Sequence, residues 1–202
     1  MLVDSVMTRS VVTTEPSRTL HAAAHLMRAG RFRHLPVVRG GRLIGIISDR
    51  DVQLETSRSV GDVMHAPVVT VTPDTPIEVA ASLLIDNKIG ALPVVDDGTD
   101  ALVGIVSQTD LFGALARLLG GDGPNTRLEL RLDDLPHQLA VIANLARERQ
   151  VNIISVVTLP VGSDGALVRR VILRLGTIMA RPFVSRLRQA GIQVDIPDCV
   201  DA

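Results

Sequence analysis

The chain has 202 residues, of which 46% are hydrophobic, and its formal net charge is −1. This length and composition suffice for one large or two smaller globular domains, and no run of 18 apolar residues predicts a membrane span. The sequence starts without a basic region followed by an apolar core, so we expect a cytoplasmic protein with no secretory signal. Three phenylalanines are the only aromatic residues, which argues against stacking on single-stranded nucleic acid.

A short motif occurs twice, at residues 45–51 (GIISDRD) and 104–110 (GIVSQTD). In each copy a glycine opens an apolar β-type run that ends in serine, and an aspartate follows three residues later at an expected helix start. One interpretation is a capping box, in which serine and aspartate satisfy each other's backbone N–H groups. The other is a nucleotide pocket, because a helix N-terminus attracts phosphate and a carboxylate can accept both hydroxyls of a ribose. The interpretations are compatible, and repetition in a matched context favours the second.

The motif belongs to a tandem repeat in the first half of the chain. Met7 matches Met64 and Leu35 matches Leu92, each pair 57 residues apart. From the glycine of the motif onward the separation is 59, so the second copy has gained two residues. One unit has therefore been used twice.

Each repeat is predicted to be an α/β unit of β-α-β-β-α type. For the first repeat we predict a β segment at 11–14, a helix with Leu20, Ala23, Ala24 and Met27 on one face, strands at 35–38 and 43–48, and a final helix. For the second we predict a β segment at 68–72, a helix with Ile77, Ala80, Ala81 and Leu84 on one face, strands at 92–95 and 102–107, and a final helix. Stacking of the two units would place both serine–aspartate corners around a shared cleft.

Residues 1 to about 119 resemble a pair of CBS domains, the modules named after cystathionine beta-synthase. The hydrophobic-Met pair, the Leu-Pro-Val-Val strand and the glycine-to-aspartate corner stand in this order in both copies. The resemblance implies that AMP, ATP or S-adenosylmethionine binds in the clefts, with Asp51 and Asp110 on the ribose and Ser48 and Ser107 near the phosphate. Along the adenine base it implies Arg33, His34 and Leu35 from one repeat and Gly90, Ala91 and Leu92 from the other.

The two repeats differ in charge. Residues 1–58 hold nine arginines and five acidic residues, net +4, whereas residues 59–123 hold two basic and nine acidic residues, net −7. The family comparison places Arg31, Arg33, His34 and Arg50 along a cleft. This favours one phosphate-competent site and one weaker site, or one better suited to a cationic ligand such as S-adenosylmethionine. The alternative is an exposed basic face that pairs with the acidic repeat.

Residue types that carry catalysis or bind metals are sparse. His21 and His25 are spaced i, i+4, which can place two metal ligands on one helix face, but no third ligand accompanies them and a surface pair is favoured. His65 and His137 are isolated in sequence, and the single cysteine, Cys199, allows no intrachain disulfide. We therefore expect a protein that is not an enzyme and that needs no metal or cofactor.

The glycine-rich stretch before Pro124 predicts a domain boundary. Beyond it we predict a strand at 126–132, a helix from about 133 with Leu135, Leu139, Ile142 and Ala146 on one face, strands at 151–161 and 166–176 around a turn at 162–165, a helix at 181–190, and a strand with Ile192, Val194 and Ile196. This β-α-β-β-α-β order is ferredoxin-like. The expected domains are 1–58, 59–119, a linker at 120–125, and 126–202.

Residues 125–198 resemble an ACT domain, a small regulatory module of amino-acid metabolism. ACT domains that bind amino acids usually carry Asp-x-Pro-Gly where the first helix starts, and this chain has Asp134-Leu135-Pro136-His137. The histidine favours dimer contact or partner docking over amino-acid binding.

The full arrangement resembles the acetoin utilization proteins of bacteria, with RHLPVV at 33–38, SDRD at 48–51 and Ile196-Pro197 near the end. That resemblance implies a homodimeric regulator that senses an adenine nucleotide and acts on a protein partner, with acetoin catabolism as one candidate pathway. The alternative is a structural dimerisation protein with vestigial pockets. Binding to nucleic acid or to a membrane is not expected.

Overall fold

Helices and strands alternate along the chain, which confirms the predicted mixed α/β class. The computed structural model describes residues 1–53, 58–120, 123–133, 135–159 and 168–195. The chain divides into two compact units, Met1–Ala114 and Leu115–Ala202. The helices are α1 (Leu20–Gly30), α2 (Ile77–Asp86), α3 (Gln108–Leu118), α4 (Gln138–Glu148) and α5 (Arg181–Gln189). The strands are β1 (His34–Arg39), β2 (Arg42–Ser48), β3 (Ala91–Val95), β4 (Leu102–Ser107), β5 (Thr126–Asp133), β6 (Ile153–Thr158), β7 (Val168–Leu175) and β8 (Gln193–Asp195). In the described ranges no helix is long and apolar enough to cross a membrane.

The first unit contains two equivalent antiparallel hairpins, β1-β2 and β3-β4, as the repeat predicts. The predicted β segments at 11–14 and 68–72 are shorter than expected, because each contributes a single parallel bridge, Thr14 to Val37 and Val71 to Val94. Prolines follow both bridges two residues later, and a proline lacks the N–H group that further pairing would need. The buried faces of α1 and α2 carry Leu20, Ala23 and Met27, and Ile77, Ala80 and Leu84 respectively.

Each repeat gives a short segment to the hydrophobic core of the other. Val3 and Met7 pack in the core that contains Leu92, although they begin the first repeat in sequence. Val60, which begins the second repeat, packs in the core that contains Leu35. The two repeats therefore fold as an interlocked pair, in which neither core is complete without the other repeat.

The glycine that opens each motif makes room for this exchanged segment. A Cβ at Gly45 would lie 2.6 Å from the sulfur of Met64, and one at Gly104 would lie 2.6 Å from the sulfur of Met7. Any side chain at either glycine would collide with the methionine. The glycine and the methionine therefore recur together in both repeats because they pack against each other.

The two corners continue differently. In the second repeat α3 follows Ser107 directly and runs for 11 residues. In the first repeat the described residues after the corner form a 3₁₀ turn, Asp51–Gln53, and the rest of the predicted helix reaches residues 54–57, outside the described ranges.

The second unit holds a four-stranded antiparallel sheet in the order β6-β7-β5-β8. Its buried face, which includes Leu128, Leu130 and Leu132 as predicted, packs with residues of α4 and α5, among them Phe183 and Leu187. The element order β-α-β-β-α-β and this strand order are those of a ferredoxin-like fold, as predicted.

The predicted start and apolar face of α4 are partly wrong. The helix begins at Gln138, so Leu135 precedes it and is 51% exposed, and Leu139 in its first turn is 44% exposed. The face that packs on the sheet consists of Ile142, Leu145 and Ala146. The predicted turn at 162–165, together with Asp134, Ile196, Pro197 and Cys199, lies outside the described residues.

Candidate functional site

Both serine–aspartate corners have the contacts of a capping box. The N–H and hydroxyl of Ser48 donate to Oδ2 of Asp51 at 2.6 and 2.7 Å. The same groups of Ser107 donate to Oδ2 of Asp110 at 2.8 and 2.6 Å. The corners are held rigidly, because one carboxylate oxygen fixes both polar groups of the serine that ends the preceding strand.

Each corner also borders a cavity. The cavity at Asp51 has a volume of about 510 Å³, and the cavity at Asp110 has a volume of about 540 Å³. Volumes in this range are typical of sites for small organic ligands. The two interpretations of the motif are therefore compatible in the folded chain, since the groups that cap the turn also line a space in which a ligand fits.

The two cavities share a wall formed by Arg33, His34, Gly90, Ala91 and Gln108. A Cβ at Gly90 would lie 2.6 Å from Cε1 and 2.8 Å from Nε2 of His34, so the imidazole ring rests directly on the Gly90 backbone. A ligand in either cavity meets this wall. The arrangement gives the two cavities a physical connection through one ring.

The cationic side chains are divided between the cavities. Arg31 lines the cavity at Asp110, Arg50 and Lys88 line the cavity at Asp51, and Arg33 lines both. Cationic side chains thus line both cavities, and three of these four residues come from the first repeat. Among the described residues, the ion pair that involves these cations joins Arg33 to Asp49 of the same repeat, at 3.9 Å.

Two side chains at the cavities have shifted pKa values. Burial lowers the pKa of His34 below its ordinary value of 6.5, and nearby arginines lower it further against the opposing effect of Asp49 and Asp51. Partial burial raises the pKa of Asp51, but hydrogen bonds from Ser48 and from His65 outweigh that effect and leave it below its ordinary value of 3.8. Asp51 is therefore ionised, and His34 neutral, at physiological pH.

Nine of the eleven predicted site residues line the cavities: Arg33, His34, Ser48, Arg50, Asp51, Gly90, Ala91, Ser107 and Asp110. Leu35 and Leu92 do not, and their placement along the base is corrected. Both side chains are fully buried in the cores of their repeats. The physical reason is the alternation of a strand, which points Leu35 to the core when the preceding His34 points to the cavity.

Sequence reasoning missed the segment that opens each repeat. Thr8 lines the cavity at Asp110 and His65 lines the cavity at Asp51, each directly after the methionine that recurs in the repeat. Nε2 of His65 lies 3.1 Å from Oδ1 of Asp51, although His65 looked isolated in sequence. The shared spacing of 57 residues could have identified these positions as equivalent, but the contact with the corner is tertiary.

The remaining histidine pair lies elsewhere. His21 and His25 are exposed on α1 and border a separate surface recess that also includes Glu15. Within the described part of the chain, no group of three or more histidine, cysteine, aspartate or glutamate side chains converges as a metal site would require.

Comparison with known families agrees with this architecture. The model of the CBS domain matches residues 3–55 and 60–117, more than half of the sequence. The chain belongs to the CBS domain family. The CBS domain-containing protein YhcV of Bacillus subtilis is 36% identical over 116 residues, which cover 54% of this chain and 81% of YhcV.

Solved structures of other CBS pairs are also similar. The CBS pair of MJ0100, determined with 5′-methylthioadenosine and S-adenosyl-L-methionine, is 29% identical, with a TM-score of 0.54 over 60% of this chain and 97% of its own. CBSX2 of Arabidopsis thaliana, determined with AMP, is 27% identical, with a TM-score of 0.53 over 57% and 96%. A Vibrio cholerae protein provisionally named AcuB, for acetoin utilization, is 34% identical, with a TM-score of 0.53 over 61% and 98%.

Proposed function

We propose that this chain is a non-enzymatic regulatory protein that binds an adenosine-type ligand, of the AMP, ATP or S-adenosylmethionine class, in its CBS pair. The observation that carries the proposal is the pair of cavities of about 510 and 540 Å³, each bordered by a rigid serine–aspartate corner. The ligands bound by the CBS pairs of MJ0100 and CBSX2 support the same ligand class. Such a ligand would act as a regulator, and no other cofactor is required.

The proposed roles follow from the chemistry of the lining residues. Asp51 and Asp110 would accept hydrogen bonds from ribose hydroxyls, and Ser48 and Ser107 would lie near a phosphate. Arg31 in one cavity and Arg50 in the other would neutralise phosphate charge, since guanidinium groups bind phosphate oxygens in pairs. In the shared wall, Arg33, His34, Gly90 and Ala91 would contact the base.

Regulation would use the connection between the cavities. A ligand that binds one arrangement of the interlocked repeats more tightly than another shifts the chain toward that arrangement, and only by its difference in affinity. We propose that the second unit, as an ACT-like domain, carries this change to a protein partner. Acetoin or related carbon metabolism is the candidate pathway.

The proposed assembly is a cytoplasmic homodimer with domains at 1–58, 59–119 and 126–202 and a linker at 120–125. In the second unit, β6 lies at an edge of the sheet and exposes Ile154 and Val156. An edge strand with exposed apolar side chains can pair with a second copy. We propose no contact with nucleic acid or membrane.

The test is thermal melting of the whole protein with AMP, ADP, ATP, NAD, S-adenosylmethionine and several amino acids, repeated on Asp51→Ala and Asp110→Ala. A ligand at 100 times its dissociation constant should stabilise the fold by about 2.7 kcal/mol. At least one adenosine compound should raise the melting temperature, and an aspartate variant should lose that shift.

Asp62 provides a matched control. Its Oδ2 accepts the N–H and hydroxyl of Ser59 at 2.9 and 2.7 Å, so it forms the same capping box, but it borders neither cavity. Asp62→Ala should lose cap stability and keep the ligand shift. An equal loss of the shift in all three variants would contradict a direct role for Asp51 and Asp110.

A second candidate is a structural dimerisation protein whose pockets are vestigial. The observation that favours it is that both corners are already satisfied internally as capping boxes. It predicts that no adenosine compound shifts the melting temperature of the unmodified protein.

A further inference from the structure

The two corners differ at the second carboxylate oxygen. In both, Oδ2 accepts two hydrogen bonds from serine. Oδ1 of Asp51 also faces Nε2 of His65 at 3.1 Å. Among the described residues, no hydrogen bond reaches Oδ1 of Asp110. Both oxygens of the Asp51 carboxylate therefore have a protein partner, whereas the described residues leave Oδ1 of Asp110 open to a ligand.

The chain places Thr8 at the second cavity where it places His65 at the first. Thr8 forms an antiparallel bridge with Ile105, through backbone hydrogen bonds of 2.9 and 3.0 Å. His65 forms the same bridge with Ile46, at 2.9 and 3.2 Å. Because these two bridges agree, the segments that meet the corners differ in the side chain after the methionine, an imidazole in place of a hydroxyl.

We propose that His65 is a specificity-determining residue that holds Asp51 away from ligand, so that an adenosine-type ligand fills the cavity at Asp110 first. This inference rests on the proposed function and adds an order to its two sites. Ligand binds in the cavity at Asp51 only when the imidazole of His65 moves away from the carboxylate. His65 can do so, because its side chain is 69% exposed and its backbone pairing does not depend on the ring.

Besides Asp51 and His65, the charged or titratable groups that line the Asp51 cavity are Arg33, His34, Asp49, Arg50 and Lys88. Of these, Arg33 and His34 also line the Asp110 cavity, so their effect is common to both cavities.

The experiment is calorimetric titration of the full chain with 5′-methylthioadenosine, an adenosine-type ligand without phosphate. Asp110→Ala isolates the Asp51 cavity, and Asp51→Ala isolates the other. In the Asp110→Ala protein, His65→Thr should tighten binding about tenfold, because the ligand no longer competes with the hydrogen bond between His65 and the charged Asp51.

The reciprocal variant is Thr8→His in the Asp51→Ala protein. It places an imidazole at the equivalent position, and it should weaken binding about tenfold. A change in only the melting temperature, with affinities unaltered in both exchanges, overturns the proposal and leaves the proposed function standing. If no variant binds the compound, while the unmodified protein also fails to bind the full nucleotide panel, the proposed function fails and this inference with it.

Discussion

The corner at Asp51 and the corner at Asp110 share a motif, a capping geometry and a cavity of similar size, yet they differ in what meets the carboxylate. Asp51 contacts His65, whereas Asp110 lines the same cavity as Thr8. Both neighbours come from outside the motif, on a segment that the chain brings from the other repeat. The comparison teaches that a repeated motif need not produce two equal sites, because the exchanged segment completes each one.

The largest expected effect tests how far the two repeats are equivalent in their cores. Leu35→Ala and Leu92→Ala should each lower the free energy of unfolding by about 2–5 kcal/mol, because each removes a fully buried side chain. Chemical denaturation measures both. The exposed Leu26 on α1 gives the control, since Leu26→Ala should cost far less. Loss of ligand binding at unchanged stability would instead indicate that these leucines line the cavities.

A smaller effect tests whether the exchanged segments are packed alike. Gly45→Ala and Gly104→Ala should each cost about 1–3 kcal/mol of unfolding free energy, since the new Cβ meets the sulfur of Met64 or Met7. Urea denaturation of the two variants compares the repeats directly. Gly98→Ala, whose Cβ would have only an ordinary contact with Asp96, should change stability by less than about 0.5 kcal/mol. A large difference between Gly45→Ala and Gly104→Ala would show that the two segments are not equivalent.

The smallest effect concerns His34, whose equivalent in the second repeat is Ala91. Burial lowers the pKa of His34 below 6.5, so the unfolded chain takes up a proton at a higher pH than the folded chain does. Its contribution to stability is therefore present above about pH 6.5 and declines as the pH falls through the window below that value. His34→Ala should flatten this part of the profile of unfolding free energy against pH.

The exposed His25 supplies the comparison for that profile. His25→Ala should leave the decline in place, because the ring on α1 touches neither cavity. A profile in which His34→Ala matches the unmodified protein would mean that the ring at the shared wall is not buried in solution.

Much of the fold was predictable because it depends on local pattern. The spacing of Leu20, Ala23 and Met27 predicts the buried face of α1, and the alternation of Leu128, Leu130 and Leu132 predicts the buried face of β5. The local pattern gave wrong predictions where tertiary packing decided burial or strand pairing. Leu139 fits the apolar period of α4 but lies in its first turn, where it is 44% exposed. The β segments near Thr14 and Val71 form only single bridges.

The features of the candidate site also divide into those predicted from the sequence and those that only the tertiary structure shows. The sequence by itself determined the serine–aspartate corners, because capping contacts join residues three apart and need only a strand that runs into a turn. Nine of the eleven residues that were predicted for the site do line the cavities. Only the tertiary structure decided that cations line both cavities and that His65 contacts Asp51. The contact of His65 depends on the exchange of segments between the repeats, which brings together residues that no local spacing connects.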